Sequence, residues 1–403
     1  MDKKVKKLWI LAGETSGDIY GAKLASELKK IASERNVELK LAGMGSKRMA
    51  EEGVELLVDS TELGVMGIVE TLKLIGTFVR IFFKLVNLAK EERPDAVVLI
   101  DYPGFNLRFA KKMFKLNIPV IWYVSPQIWV WGKKRKPVLE AICSKMLVIF
   151  PFETEVYDKD KLDVSFVGHP LLEIIEDRTD LTIKRDENCF LLLPGSRAME
   201  VGRLLKPMLD AVCELHSKHP NLYFVIAASR AKMRAMCEKI IADYRKKHPE
   251  LPPIELSNES AAYYQQKAGT GIAASGTVTV ESAIAGLPLV VIYKLNYITL
   301  LIASVLVKLY RGYFTMVNII ANKTVFEEFL QWHVCNKNIV PAVEKILPGG
   351  SRRKEVENDI KNLVEMLSSR GRKPSFAAAE ACFEVIEKQK VIEYNNQKQD
   401  EIK

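Results

Sequence analysis

The residues best suited to chemistry sit where short apolar runs give way to turns. In Ile272-Ala-Ala-Ser-Gly-Thr-Val-Thr-Val-Glu281, small and apolar residues end in Ser275-Gly276-Thr277. A helix-compatible segment then runs to Ala285 and stops at Gly286-Leu287-Pro288. The order reads as strand, tight turn, helix N-terminus. Gly276 lets the backbone approach a ligand closely, and Ser275 and Thr277 either cap the helix or offer hydroxyls. Free N–H groups and the positive end of the helix dipole suit a diphosphate. Glu281, one turn beyond Thr277, could accept hydrogen bonds from ribose hydroxyls. An ordinary strand-to-helix turn with a Ser/Thr cap would show the same pattern. Leu191-Leu-Leu-Pro-Gly-Ser-Arg197 has a similar layout. Gly195 and Ser196 offer backbone and hydroxyl donors, and Arg197 is a planar fork suited to phosphate. Glu200, three residues beyond Arg197, makes a pattern like a capping box, and both readings can hold together.

Three further turns carry polar groups. Gly13-Glu14-Thr15-Ser16-Gly17-Asp18 follows the first apolar run and opens a helix, but it lacks the G-K-[ST] of a P-loop and does not fit G-x-G-x-x-G. Glu14 and Asp18 at such an anion-favouring start either cap amides or hydrogen-bond sugar hydroxyls. Asp101 ends the run Ala96–Ile100 ahead of a Pro-Gly turn and Asn106. It is a general base if a substrate hydroxyl comes within reach, or else an Asx-turn residue. In Tyr123-Val-Ser-Pro-Gln-Ile-Trp-Val-Trp-Gly132, Ser125 and Gln127 supply neutral hydrogen bonds suited to a sugar, and Trp129 and Trp131 read as core, the usual fate of aromatics. Lys133-Lys-Arg-Lys136 is a solvated face or a seat for an anionic head group.

The elements that must position these residues alternate. Apolar runs recur at Leu8–Gly13, Leu39–Gly45, Ala96–Asp101, Pro119–Pro126, Lys145–Pro151, Val164–Pro170, Phe190–Arg197, Leu222–Ser229, Gly271–Thr277 and Leu287–Lys294, mostly with helix-like segments between them. Buried strands alternating with helices argue for parallel α/β sheets. Ten strands are many for one such domain, and the turn cluster Val167-Gly-His-Pro170 marks a break. The expected architecture is α/β, two Rossmann-like domains facing across a cleft, with ligands at the carboxyl ends of strands. The expected division is 1–167, 168–370, a C-terminal helix 371–389 packing back on the first domain, and a frayed polar tail 390–403.

With 403 residues, 48% hydrophobic and 27% charged, the chain can bury two full cores and is not disordered. A net charge of +9 suits nucleic acid, anionic lipid or phosphorylated substrates. The six cysteines are scattered without C-x-x-C and read as reduced core residues of a cytoplasmic protein. His216 and His219 lie three apart with no third ligand near them, so no structural metal is expected. The apolar run at the N-terminus is too short for a signal-peptide core, and no stretch reaches the roughly 18 apolar residues of a membrane span. Two come partway. Leu72–Lys90 places Lys73, Arg80 and Lys84 on one helical face among Ile75, Phe78, Val79 and Phe82, and reads as an interfacial helix lying in a bilayer surface or as a buried helix between domains. Lys294–Phe314 is uncharged from Leu295 to Val307 and could line a lipid-binding cleft.

Taken in order, Gly13–Asp18, Asp101 with Asn106, Ser125-Pro-Gln-Ile-Trp129, Gly168-His-Pro170, Pro194–Arg197, Ser275–Thr277 with Glu281, Tyr293-Lys294, Val317-Asn-Ile-Ile-Ala321 and Glu328-Phe-Leu-Gln331 resemble the lipid-A-disaccharide synthases, membrane-peripheral glycosyltransferases of the two-domain GT-B type. The resemblance spans roughly Leu8 to Glu387 and departs at Glu327, where the family often has proline. It implies transfer from UDP-2,3-diacylglucosamine to 2,3-diacylglucosamine 1-phosphate with inversion, at the inner face of the inner membrane. It implies no metal or other cofactor and no nucleic acid, and it leaves a homo-oligomer open. Gly195, Ser196, Arg197, Ser275, Gly276, Thr277 and Glu281 would then hold UDP. Glu14, Ser16, Gly17, Asp18, Asn106, Ser125, Gln127 and Asn318 would face the acceptor. Asp101 is expected as the base, because the helix dipole at Glu14 and Asp18 lowers their basicity. A UDP-sugar epimerase on the same scaffold, or a non-catalytic lipid-binding protein, are the other readings.

Overall fold

The computed structural model describes residues 4–63, 68–130, 132–295, 312–369 and 371–401, with the side chains of 62–75 and 388–401 excepted. It divides into two compact units. Unit 1 is Met1–Pro170 with Leu367–Lys403, and unit 2 is Leu171–Met366.

Unit 1 runs β1 (Lys4–Ala12), α1 (Thr15–Glu34), β2 (Val37–Gly45), α2 (Lys47–Glu51), β3 (Glu55–Asp59), α3 (Ile68–Glu92), β4 (Ala96–Ile100), α4 (Pro103–Lys115), β5 (Val120–Tyr123), α5 (Lys136–Ile142), β6 (Lys145–Val148) and β7 (Asp163–Phe166). The strands form one parallel sheet in the order β3-β2-β1-β4-β5-β6-β7. Every residue of β4 and β5 is buried, as a parallel strand covered by helices on both faces requires. The helix Pro374–Glu401 completes this unit. Lys145, at the start of β6, reaches both Asp163 (2.9 Å) and Glu384 of that helix (2.8 Å), and Arg35 meets Glu387 at 2.7 Å. The helix runs on through 390–401, where the sequence suggests a frayed tail.

Unit 2 contains α6 (Leu171–Arg178), β8 (Asp186–Leu193), α7 (Ala198–Lys218), β9 (Tyr223–Ala227), α8 (Ala231–Arg245), β10 (Ile254–Ser257), α9 (Ala261–Lys267), β11 (Ala268–Ala274), α10 (Thr277–Ile284), β12 (Leu289–Tyr293) and β13 (Glu328–Leu330), with further helices at Met316–Ala321, Asn336–Ile346 and Arg353–Leu367. Its parallel sheet has the order β10-β9-β8-β11-β12-β13. In each sheet the strand order reverses beside the first strand of the unit, at β1/β4 and at β8/β11. Crevices for ligands form at such switch points, at the carboxyl ends of the strands.

Helix α3 turns one face to the protein. Ile81, Leu85, Val86 and Ala89 are buried. The Phe78 ring stacks on Tyr102, and the Phe82 ring meets Phe105 and Phe109 edge-on. This corrects the assignment of Phe78 and Phe82 to a bilayer-facing surface, because α4 draws both rings inward. The exposed face carries Val79, Arg80, Phe83 and Lys84, and Lys84 Nζ also donates to the carbonyl of Leu57 (2.6 Å). For Ile75 only its place in the helix is described. Among the described residues no helix is long and apolar enough to cross a membrane. Of the stretch Lys294–Phe314, residues 296–311 lie outside the described ones.

Candidate active site

At the switch point of unit 1, β1 and β4 lie side by side and release Gly13-Glu14 and Asp101-Tyr102 from their carboxyl ends. Asp101 and Tyr102 both hold left-handed backbone angles, φ 45° and 49°. Such angles are strained for residues with a β-carbon, so something must hold the turn. Asn106, fully buried, does so: its Nδ2 donates to the carbonyls of Ile100 (3.2 Å) and Asp101 (2.8 Å). The Tyr102 ring covers Gly13 so closely that a β-carbon there would lie 2.3 Å from a ring carbon. Burial pushes the Asp101 carboxyl up to about 6, and the nearby Glu14 charge pushes the same way against a hydrogen bond from the Tyr102 amide. Glu14 itself is exposed and does not cap α1, whose N-terminus it precedes.

The loop after β5 is clamped to the segment after β6. Ser125 Oγ shares a 2.7 Å hydrogen bond with the Tyr157 hydroxyl, and the Trp129 indole N–H donates to Glu153 Oε1 at 3.2 Å. Gln127 is the exposed residue between these two buried anchors. Glu153, 1% exposed, also accepts from the Phe150 amide (3.2 Å). Burial drives its carboxyl up to about 8, and Asp101 is among the charges that add to the rise. The sequence gives no sign of this residue, because its burial comes from elements remote in the chain. Trp131 lies outside the described residues.

Several residues expected to touch substrate are instead bonded within the protein. Asp18 does cap amides, but those of another helix: its carboxylate accepts from Ser46 (2.6 Å), Arg48 (3.2 Å) and Met49 (3.4 Å) at the start of α2. Gly17 is buried with Ala12 3.2 Å from where its β-carbon would sit, so it sets how closely α1 packs on β1, while Ser16 is exposed. Ser125 and Asn106 position their loops, as above. Asn318, in unit 2, is wholly buried and uses all its bonding capacity. Its Nδ2 donates to Phe326 O (2.7 Å) and Glu328 (3.0 Å), and its Oδ1 accepts from Val325 (2.9 Å) and Phe326 (3.0 Å). It orders the segment 315–328 and has no donor or acceptor left for a substrate.

In unit 2 the carboxyl ends of β8, β9 and β11 surround a cavity of about 510 Å³. It is lined by Pro194–Arg197, Ala274–Val278 and Glu281, which the sequence singles out, and by Ser229 and Arg230, which it does not. The only sequence trace of the last two is the Ser at the end of the run Leu222–Ser229. Gly276 precedes α10 at φ 156°, ψ −166°, a conformation open to glycine and closed to other residues, and the helix has no side-chain cap. The capping role considered for Ser275 and Thr277 is therefore absent, and the start of α10 at Thr277 and Val278 lines the cavity without a side-chain cap. On the other side, Glu200 accepts from the amides of Ser196 (2.9 Å) and Arg197 (3.2 Å) and pairs with the Arg197 guanidinium (2.9 Å). Burial raises the Glu281 carboxyl above its ordinary range, against the pull of Arg178 and a hydrogen bond from Gln265. Among the described residues no group of three or more His, Cys, Asp or Glu could hold a metal ion.

Solved structures of this fold include a UDP-GlcNAc 2-epimerase from Neisseria meningitidis, with 15% identity and a TM-score of 0.59 over 96% of this chain and 100% of that one. A calicheamicin glycosyltransferase matches with 14% identity and a TM-score of 0.57 over 96% and 99%. At these identities the likeness is one of fold, and the fold is that of the GT-B class. Sequence is more specific. The profile of the lipid-A-disaccharide synthetases matches residues 8–382. The lipid-A-disaccharide synthase of Trichlorobacter lovleyi is 36% identical over 349 residues, 85% of this chain and 88% of that protein. That of Coxiella burnetii is 35% identical over 370 residues, 90% and 94%. The chain belongs to this family, and it is a glycosyltransferase of lipid A biosynthesis.

Proposed function

We propose that the chain joins UDP-2,3-diacylglucosamine to 2,3-diacylglucosamine 1-phosphate in one in-line displacement. The acceptor's 6-hydroxyl attacks the anomeric carbon, its proton passes to Asp101, and the bond from that carbon to the diphosphate oxygen breaks with its electron pair leaving on UDP. The product is a β-1,6-linked disaccharide 1-phosphate, inverted at the anomeric centre. The observation that carries this reading is Asp101: a partly buried carboxyl raised to about 6, at the switch point of unit 1. A base works best with a pKa near the operating pH. Glu14 and Gln127 are the exposed polar groups that would orient the acceptor there.

Unit 2 would take the donor. The uncapped start of α10 favours the diphosphate, with Glu281 for ribose hydroxyls and Arg197 and Arg230 for charge. Arg197 is 75% exposed on its side chain, so its pairing with Glu200 is a surface contact worth about 0.2–1 kcal/mol. A charge-assisted bond to phosphate is worth about 1.5–3 kcal/mol, so the guanidinium would move to the ligand. The exposed Val79, Arg80, Phe83 and Lys84 of α3 would hold the protein at the inner face of the inner membrane, where acylated substrates lie. Incubating the purified protein with both acylated sugars in detergent tests the function. UDP and the disaccharide should appear together, and UDP formed without disaccharide would refute it.

A further inference from the structure

Glu153 is a buried carboxyl that the reaction above does not use. It stands at the carboxyl end of the same sheet as Asp101, in the turn Pro151–Glu155 after β6. Its two oxygens take an indole N–H and a peptide N–H, both neutral donors. Among the described residues no Lys or Arg pairs with it. The titratable groups it faces are Asp101, from the end of β4, and Tyr157, whose own ionisation the Glu153 charge opposes. The His169 ring lies behind Phe150, 5.2 Å between centroids, and burial keeps it neutral, down to about 3. Among the described residues, then, only neutral N–H donors, the Trp129 indole and the peptide amides, offset a negative charge at Glu153, and no cation pairs with it.

We propose that Glu153 is a positioning residue of the Asp101 site, clamping the Ser125–Trp129 loop through the Trp129 indole, and that turnover requires it in its proton-bearing form. The clamp fixes the height of Gln127, which lies between the two anchored residues. The protonation requirement rests on the function proposed above. Ionising Glu153 adds a second negative charge, paired with no described cation, within electrostatic reach of Asp101, in a site that must accept a sugar phosphate already carrying negative charge. Two such carboxyls titrate as a pair, in two steps. The first step is weighted toward Asp101, which burial raises to about 6, and the second toward Glu153, which burial raises to about 8. Turnover therefore rises through the first step and falls through the second.

The test compares pH profiles of kcat for the full chain, Glu153→Gln and Trp129→Phe, by UDP release with both acylated sugars. Glu153→Gln should lose the alkaline limb and keep the acid limb. Trp129→Phe removes a donor that favours the ionised form, so it should move the alkaline limb upward. An alkaline limb unchanged in Glu153→Gln, or moved downward in Trp129→Phe, overturns the proposal. A second measurement does not depend on activity. In ¹⁵N-tryptophan-labelled protein with UDP, the Trp129 indole signal, assigned by its loss in Trp129→Phe, should titrate near 8 and cease to do so in Glu153→Gln. A flat indole signal overturns the clamp. Absent UDP release with a titrating indole refutes the proposed reaction instead.

Discussion

Asp101 illustrates how a single carboxyl is made basic at a cost to the fold. Its turn is strained at two successive residues and is held by the buried Asn106, while burial and Glu14 disfavour its charge. Its folded pKa stands above the unfolded one, so the folded state holds the extra proton between about 4 and 6, and stability falls as pH rises through that window. Asp101→Asn should therefore unfold later than the parent at pH 8, by roughly 3 kcal/mol, with the gain gone below pH 4 in denaturant titrations. The same variant should lose at least about a hundredfold in kcat, the ordinary contribution of a positioned base, while calorimetry finds UDP affinity unchanged. Near-normal turnover would move the base to Glu14. The residue type and its place at a strand end are visible in the sequence. The roles of Asp18, Ser125, Asn318 and Glu153 are not, because each is set by a partner brought in by the fold: the α2 amides, Tyr157, the 325–326 amides and Trp129.

Among elements, the legible strands are the buried ones, with the edge strand β7 the exception because its run Val164–Phe166 continues into Val167. The ten apolar runs correspond to ten of the thirteen described strands, and the three missed are β3, β10 and β13, each an edge strand. A strand with one neighbour is partly exposed and carries Glu55, Glu255 or Glu328, so its composition does not stand out. Helix α3 is ambiguous in sequence for a related reason: apolar residues flank its row of Lys73, Arg80 and Lys84 on both sides, so its inner face shows only where α4 packs on it. The outer face holds Val79 and Phe83, 49% and 53% exposed. Replacing both with serine should release the protein from anionic vesicles in a sedimentation assay, whereas serine at Phe82 should mainly destabilise the fold. Retained vesicle binding in the double variant would place the membrane contact elsewhere. For the α7 start, Arg197→Ala should weaken UDP binding by roughly tenfold or more, the equivalent of one charge-assisted bond. Unchanged affinity in a folded variant would leave the charge to Arg230.

At the scale of the whole molecule, the chain crosses into unit 2 at Leu171 and returns to unit 1 at Leu367, so the integrity of unit 1 depends on its last helix. Phe383 and Ile386 of that helix are each 1% exposed, and Arg35 lies over the Phe383 ring at 5.2 Å. Burying side chains of this kind contributes about 1.5–3 kcal/mol each, and a domain's whole stability is only about 5–15 kcal/mol. Removing the helix also leaves Lys145, 4% exposed on its side chain, with Asp163 alone of its two carboxylates. A chain ending at Lys373 should therefore lose unit 1 selectively. Hydrogen exchange should rise sharply in α1 and β6 and stay unchanged in β8 and β11. UDP affinity should also be retained, because every residue of the unit 2 cavity lies outside the deleted segment. Equal loss of protection in both sheets would show that the units do not stand independently, and unchanged protection in α1 would show that the helix is dispensable to the first.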